Sequence, residues 1–193
     1  MKFKNDEMMI GEHFTYKGIE WICLDIIDGD YLAITAQIWQ KLPFDADDYN
    51  NWKESSLRRV LNDEFLSKLD KKHLVLQTSD LIADNGDKQY GTCEDYVTIL
   101  SCEQYRKYRD LIPNYSKQIW TLTPWACSPI KKNAETIRVV SFYDMKQEYF
   151  TGFGISPSNY IDFGVTPACL FSSKNLKLSR QTRLVEIKKP KEE

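Results

Sequence analysis

The sequence predicts an α+β domain in which antiparallel strands carry two short helices and long C-terminal loops. Residues 12–39 alternate aromatic and β-branched runs with Gly and Asp, which is typical of a β-meander. Residues 57–69 place apolar side chains at helical spacing, so one amphipathic helix is expected there. Residues 113–170 are rich in aromatic residues, Gly and Pro and contain few helix formers, which predicts short strands joined by long ordered loops.

The strongest local signal is a hairpin turn at Asp28-Gly29. Apolar and β-branched residues flank this pair at 21–27 and 31–36. A two-residue turn of the primed type needs positive φ angles, and glycine adopts them without steric cost. Two antiparallel strands are therefore predicted on either side of the turn.

Two helix starts are marked by capping residues. Ser55 or Ser56 can accept a hydrogen bond from the free amides that begin the first helix. Ser101 followed by Gln104 matches a capping box, which predicts a second helix to about Asp110. Between the two helices, residues 74–81 have the composition of a strand, although short apolar runs of this kind are ambiguous.

Length and charge predict one domain without a general affinity for polyanions. The chain of 193 residues shows no linker or repeat, so residues 1–180 are assigned to one globular domain and the charged residues 181–193 to a frayed tail. A net charge of -2 does not favour binding to nucleic acid or to an anionic membrane. Asp6 and Glu7 interrupt a secretion signal and no apolar run has the length of a membrane helix, so a cytoplasmic protein is expected.

The sequence offers no clear metal or cofactor site. His13 and His73 are far apart and the cysteines do not have the spacing of zinc ligands, so neither a metal nor a cofactor is predicted. Three aspartates precede the first helix with a spacing similar to that of a calcium loop, but its glycine and its terminal glutamate are missing. These residues are Asp45, Asp47 and Asp48. The alternative for them is a solvated loop.

Catalytic residues are not identifiable either. The five cysteines include no C-x-x-C pair and are interpreted as reduced thiols. No G-x-S-x-G elbow is present, and Gly152-Phe153-Gly154 lacks the third glycine of a phosphate-binding loop. We therefore assign no catalytic residue from the sequence.

Aromatic density is what distinguishes the C-terminal half. Nine aromatic residues fall between positions 120 and 163: Trp120, Trp125, Phe142, Tyr143, Tyr149, Phe150, Phe153, Tyr160 and Phe163. Trp120 and Phe142 lie in strand-like alternation and are expected in the core. Phe153 and Tyr160 lie beside Gly, Ser, Pro and Asn, where surface and core positions are both open. Trp125, Phe153, Asn159 and Tyr160 are the candidate binding residues.

Two motifs in this half resemble an uncharacterised bacterial and phage domain family. Trp120-Thr121-Leu122-Thr123-Pro124 and Gly164-Val165-Thr166-Pro167-Ala168 are similar to the family's W-L-R-S-P and G-V-R-P-A signatures, and Trp120, Pro124, Gly164 and Pro167 are among the shared residues. Residues 52–66 also resemble the family's upstream helix. Leu122 and Thr166 stand where the family has arginines, so a site built on those arginines is not expected here.

The two motifs are in turn similar to the closing motifs of C-type-lectin-like and formylglycine-generating-enzyme-like folds. This resemblance implies a compact frame of helices and sheet with variable loops, and frames of this kind mostly bind other molecules. Because aromatic loops occur here without a catalytic constellation, the first hypothesis is a module that binds a protein through the loops between Pro124 and Tyr160, for instance a phage or mobile-element protein that acts on a host factor. The alternatives are an oxidase-like enzyme that uses Cys127 or Cys169, and a virion structural or adhesion protein.

Overall fold

The computed structural model describes residues 8–130, 134–145, 148–176 and 183–184. Within these residues the chain is a mixed α+β protein, in which short helices pack on mostly antiparallel sheets. The predicted fold class is therefore confirmed at this level. The N-terminal residues 1–7 and most of the predicted tail at 181–193 lie outside the described residues, but Arg183–Leu184 form a short strand.

The first sheet has six strands and contains the predicted meander. Its strands are β1 (His13–Tyr16), β2 (Ile19–Ile27), β3 (Asp30–Thr35), β5 (Leu74–Val75), β12 (Ala168–Phe171) and β13 (Arg183–Leu184), in the spatial order β13-β1-β2-β3-β12-β5. Every strand pair in this sheet is antiparallel. Strand β12, from late in the chain, therefore lies between β3 of the N-terminal meander and β5.

The predicted turn at Asp28-Gly29 is confirmed. Ile27 pairs with Asp30, which leaves only Asp28 and Gly29 in the turn. Both residues have positive φ angles, of 51° and 88°. These angles match a primed turn, whose twist suits the two strands that it joins.

The second sheet has five strands and corrects one prediction. Its strands are β4 (Gln40–Lys41), β8 (Ile119–Pro124), β9 (Thr136–Met145), β10 (Glu148–Pro157) and β11 (Gly164–Val165), in the order β10-β9-β8-β11-β4. The expectation of short strands and long loops is wrong between residues 136 and 157, where β9 and β10 pair over ten residues each. Cross-strand pairing supports the glycines of this segment in extended backbone, which local propensity does not reveal.

The run at residues 74–81 is divided between two sheets. Leu74–Val75 form β5 of the first sheet, whereas Gln77–Asp80 form β6 and pair with β7 (Thr92–Asp95) in a separate two-stranded sheet. A strand was therefore predicted correctly here, but its division was not. The isolated apolar pattern gives no information about the partner of each half.

Both capped helices begin where they are predicted, although α2 ends at Lys107 and turns follow in place of the helix expected to about Asp110. Ser55 accepts a hydrogen bond from the Arg58 amide at 3.1 Å at the start of α1 (Ser56–Val60), which continues through a π turn and a 3-10 turn to Lys68. Ser101 and Gln104 form the reciprocal capping box of α2 (Cys102–Lys107). Across the described residues, no helix combines the length and the apolar character needed to cross a membrane.

The buried side chains form two clusters on opposite sides of the sheets. The larger cluster includes Trp21, Trp120 and Phe65 and lies on the side of α1, which we call the α1 side. The smaller includes Tyr105 and Val140 and lies on the side of α2, which we call the α2 side. Trp120 is fully buried as predicted, whereas the side chain of Phe142 lies outside the described part of the structure.

A buried carboxylate joins α1 to the two-stranded sheet. Asp95 of β7 is almost completely buried and accepts a hydrogen bond from the Trp52 indole nitrogen at 2.9 Å. Its other oxygen lies 2.8 Å from the Arg58 Nε. A buried carboxylate is stable when it is paired and hydrogen-bonded, and both conditions hold here.

We expect Asp95→Ala to lower the free energy of unfolding by about 3 kcal/mol, because it removes the buried acceptor of the Arg58 Nε and of the Trp52 indole N–H. Urea denaturation followed by circular dichroism measures this change. Glu94→Ala is the matched control, since Glu94 is its exposed neighbour in the same strand, and it should alter stability by less than about 0.5 kcal/mol. Equal stability of the two variants would contradict the structural role of Asp95.

Candidate functional site

The structure does not bring the four candidate binding residues together. Trp125 directly follows β8 and is 44% exposed, and Phe153 lies half-buried within β10 rather than in a loop. Asn159 and Tyr160 are exposed beyond the end of β10. Phe153 packs on the α2 side, whereas Tyr160 stacks on Phe163 of the α1 side, with ring centroids 4.6 Å apart.

The four residues of the resembling motifs are structural. Trp120, Pro124, Gly164 and Pro167 are all buried, and the Trp120 indole nitrogen donates to the Leu42 carbonyl at 2.8 Å. A Cβ at Gly164 would lie 2.6 Å from the Ile38 side chain, so glycine is required by close packing.

The two positions where the resembling family has arginines are also interior. Leu122 and Thr166 are buried, with Leu122 in the α1-side cluster. An uncharged side chain suits both positions, because an isolated charge would be costly to desolvate there.

The α2-side face of the second sheet is only partly covered. In the β9–β10 pairing, Arg138 lies opposite Ile155 and Val140 lies opposite Phe153, so these four side chains project from one face. Val140 and Phe153 are covered by Tyr105 of α2 and the residues around it. Ile155 remains 53% exposed beyond that cover.

We call the uncovered part of this face the sheet corner, formed by Trp125, Arg138 and Ile155 with Ile82 and Asp84 from the loop after β6. The loop is attached to the sheet because the Asp84 amide donates to the Pro124 carbonyl at 2.9 Å. Ile82 is exposed beside it. Apolar surface and a fixed charge pair are thus combined in one place.

Arg138 organises the sheet corner. Its guanidinium lies 4.3 Å from the centroid of the Trp125 ring, and its Nη2 is 2.6 Å from a carboxylate oxygen of Asp84. Its buried Nε has no hydrogen-bond partner among the described residues. The stack holds the indole in one position while leaving much of the ring open to a ligand.

A second stack of arginine on an aromatic ring lies nearby. The Arg106 guanidinium of α2 is 4.5 Å from the centroid of the Phe153 ring, and Tyr105 meets the same ring edge-on at 5.9 Å. Arg106 is exposed and forms no salt bridge with any residue that the structure describes. This cation can therefore pair with an external acceptor.

A cleft is lined by Asp84, which pairs with Arg138, and by Arg106, which lies over Phe153. It has a volume of about 320 Å³ and lies between β6, the loop after it, the start of α2 and the end of β8. Its lining includes Asp84 at the sheet corner and Arg106 on α2, with Ser101 and Thr123 between them. The site is therefore a shallow polar depression with an apolar and aromatic margin.

Two of the three aspartates of the candidate calcium loop accept hydrogen bonds from backbone amides. The two oxygens of Asp45 accept from the Ser56 amide at 2.9 Å and the Tyr49 amide at 3.1 Å. Asp48 accepts from the Asn159 amide at 3.1 Å, while Asp47 is exposed. No group of three or more His, Cys, Asp and Glu side chains in the described residues could hold a metal ion.

The five thiols are poorly suited to nucleophilic chemistry near neutral pH. Burial raises the pKa of Cys23 to about 12 and that of Cys93 to about 11. Burial likewise raises the pKa of Cys102, Cys127 and Cys169. The thiolate is the reactive form, so a raised pKa suppresses reactivity.

Comparison with family models, with curated proteins and with solved structures finds no match to this chain. The description of the site therefore depends on its own geometry.

Sequence reasoning identified Trp125 and Phe153 but missed the two arginines that stack on them. Arg138 is a lone charge within the apolar run IRVV, which is a usable signal because an isolated charge in a strand needs a partner. Arg106 carries no comparable signal, since exposed arginines are common on short helices. Its position over Phe153 depends on how α2 packs on the sheet.

We expect iodoacetamide at pH 7.5 to modify Cys127 more slowly than a cysteine in an unstructured peptide, because its raised pKa lowers the thiolate fraction. The rate should rise as the pH increases beyond the ordinary thiol pKa, since deprotonation occurs at higher pH in the folded protein. Mass spectrometry of the intact protein measures the modification, and labelling in urea should reach all five cysteines. Rapid labelling of Cys127 in the folded protein would instead support thiol catalysis.

Proposed function

We propose that this protein is a recognition module that binds another protein through the sheet corner and the adjoining cleft. The observation that carries the proposal is the exposed Trp125 ring, which is held in place by Arg138. Trp and Arg are enriched among the residues that contribute most to protein–protein binding. Ile82 and Ile155 add exposed apolar surface beside this pair.

The rigidity of the sheet corner supports this proposal. The Asp84 carboxylate fixes Arg138, and the indole lies against the guanidinium, so Trp125 has lost part of its conformational freedom before binding. A preorganised side chain pays less entropy when a partner immobilises it.

The charge of the site supports a protein partner over a nucleic acid. Asp84 compensates Arg138, and the cleft is also lined by Asp80 and Glu103, so the positive charge of Arg106 is not part of a basic surface. Affinity for nucleic acid depends on several phosphate contacts from Lys and Arg. A polar cleft with an aromatic margin is better suited to the side chains of a protein.

The proposal includes a C-type-lectin-like frame, in which residues 124–160 provide the variable recognition elements. It is supported by the resemblance of the Trp120 and Gly164 motifs and by the burial of both in the core. A phage or mobile-element protein that binds a host factor in the bacterial cytoplasm is the setting that we propose for such a module.

We expect Trp125→Ala to weaken binding to the partner by about 10- to 100-fold, because a central aromatic contact is typically worth about 2 kcal/mol. Affinity capture from bacterial lysate with the wild-type protein identifies the partner. Calorimetry with the purified partner then measures the dissociation constants of the wild type and the variant.

Ile27→Ala provides the matched control for this experiment. Ile27 is an exposed apolar residue at the end of β2, in the other large sheet. This variant should bind with the wild-type affinity. If Trp125→Ala binds the captured protein as tightly as Ile27→Ala does, the sheet corner is not the binding site.

A further inference from the structure

The two large sheets differ greatly in how their edges are protected. Three of their four edge strands, β4, β5 and β13, contain two residues each. The fourth, β10, contains ten residues and pairs on only one side with any described strand. Short edge strands are a common means of preventing pairing between sheets, and β10 lacks this protection.

The other usual protective features are also missing from most of β10. Its sequence, EYFTGFGISP, contains no lysine or arginine, and its only charged residue is Glu148 at the start. Its pairing with β9 runs through ten positions without a register shift, so no bulge twists the edge away. Proline occurs only at the final position, Pro157.

The backbone groups that face outward can be assigned from the hydrogen bonds. The Ser158 amide donates to the Glu135 carbonyl at 2.7 Å, in continuation of the β9–β10 pairing. Alternate residues of an antiparallel strand point their N–H and C=O groups to opposite sides. The even-numbered residues of β10 therefore face β9, whereas Thr151, Phe153 and Ile155 present theirs to the free edge.

This pattern is compatible with pairing between two identical strands. In an antiparallel arrangement with a twofold axis at Phe153, Thr151 of one copy lies opposite Ile155 of the other, so outward-facing groups meet outward-facing groups. Gly152 then lies opposite Gly154 of the second copy, and neither residue has a side chain that could clash. About six backbone hydrogen bonds can form between the two strands.

The position of Glu148 favours the same arrangement. In antiparallel pairing about Phe153, each Glu148 lies opposite Ser158 of the other copy, and the two Glu148 positions are about 33 Å apart along the strands. In parallel pairing the two carboxylates would be adjacent and would repel each other. The position of the charge on this edge therefore favours antiparallel pairing with twofold symmetry.

We infer that the protein forms a symmetric dimer in which β10 pairs antiparallel with β10 of a second copy, joining the two five-stranded sheets into one sheet of ten. Ile155, which is exposed in the single chain, becomes partly covered in the dimer. Trp125 follows β8 and Arg138 lies on β9, so both stay away from the paired edge and remain available in each copy, whereas Ile155 of the sheet corner lies beside the interface. The inference does not depend on the proposed function.

The test compares substitutions that block the edge with substitutions that preserve it. Thr151→Pro removes an outward-facing N–H while leaving the hydrogen bonds to β9 intact, and proline is tolerated on edge strands. Thr151→Val is its control, since valine retains the N–H. Ile155→Lys places a charge beside the edge, and Ile155→Thr is its uncharged control.

Sedimentation velocity over a hundredfold range of concentration measures the mass of each protein. We expect the wild type and both controls to form dimers, and both blocking variants to weaken the dimer at least tenfold. Circular dichroism shows whether each variant is folded. If Thr151→Pro does not fold, the result with Ile155→Lys decides the test. A monomeric wild type would overturn the inference, as would a dimer that persists in the folded blocking variants.

Discussion

The unbroken pairing of β9 with β10 is the constraint on which the functional surfaces depend. Because the register has no bulge over ten residues, Arg138, Val140, Phe153 and Ile155 all project to the α2 side. A shift of β10 by one residue would move Phe153 and Ile155 to the α1 side. The same pairing determines which backbone groups of β10 face the free edge.

Acidic residues in this protein stabilise the fold through hydrogen bonds to defined donors. Asp95 binds Trp52 and Arg58, and Asp45 caps the start of α1 through the Ser56 amide. Asp84 pairs with Arg138 and so holds the guanidinium beneath the exposed indole of Trp125. These three aspartates therefore have structural roles.

The aromatic residues of the C-terminal half have two different roles. Trp120 and Phe163 pack against each other in the core with ring centroids 4.8 Å apart, and Tyr160 extends this stack to the surface. Trp125 and Phe153 instead lie on the other side of the sheet, where each is paired with an arginine. The aromatic side chains that the structure describes in this half therefore belong partly to the core and partly to the surface.

Local sequence patterns determined the elements whose geometry is set by neighbouring residues. The turn at Asp28-Gly29 and the caps at Ser55 and Ser101 are of this kind, because positive φ angles and free helix amides have local solutions. The tertiary structure alone decided the extent of β9 and β10 and the stacking of Arg138 on Trp125. These features arise from pairing and packing between residues that are distant in the chain, and the identity of such partners is not encoded in the periodicity of either segment.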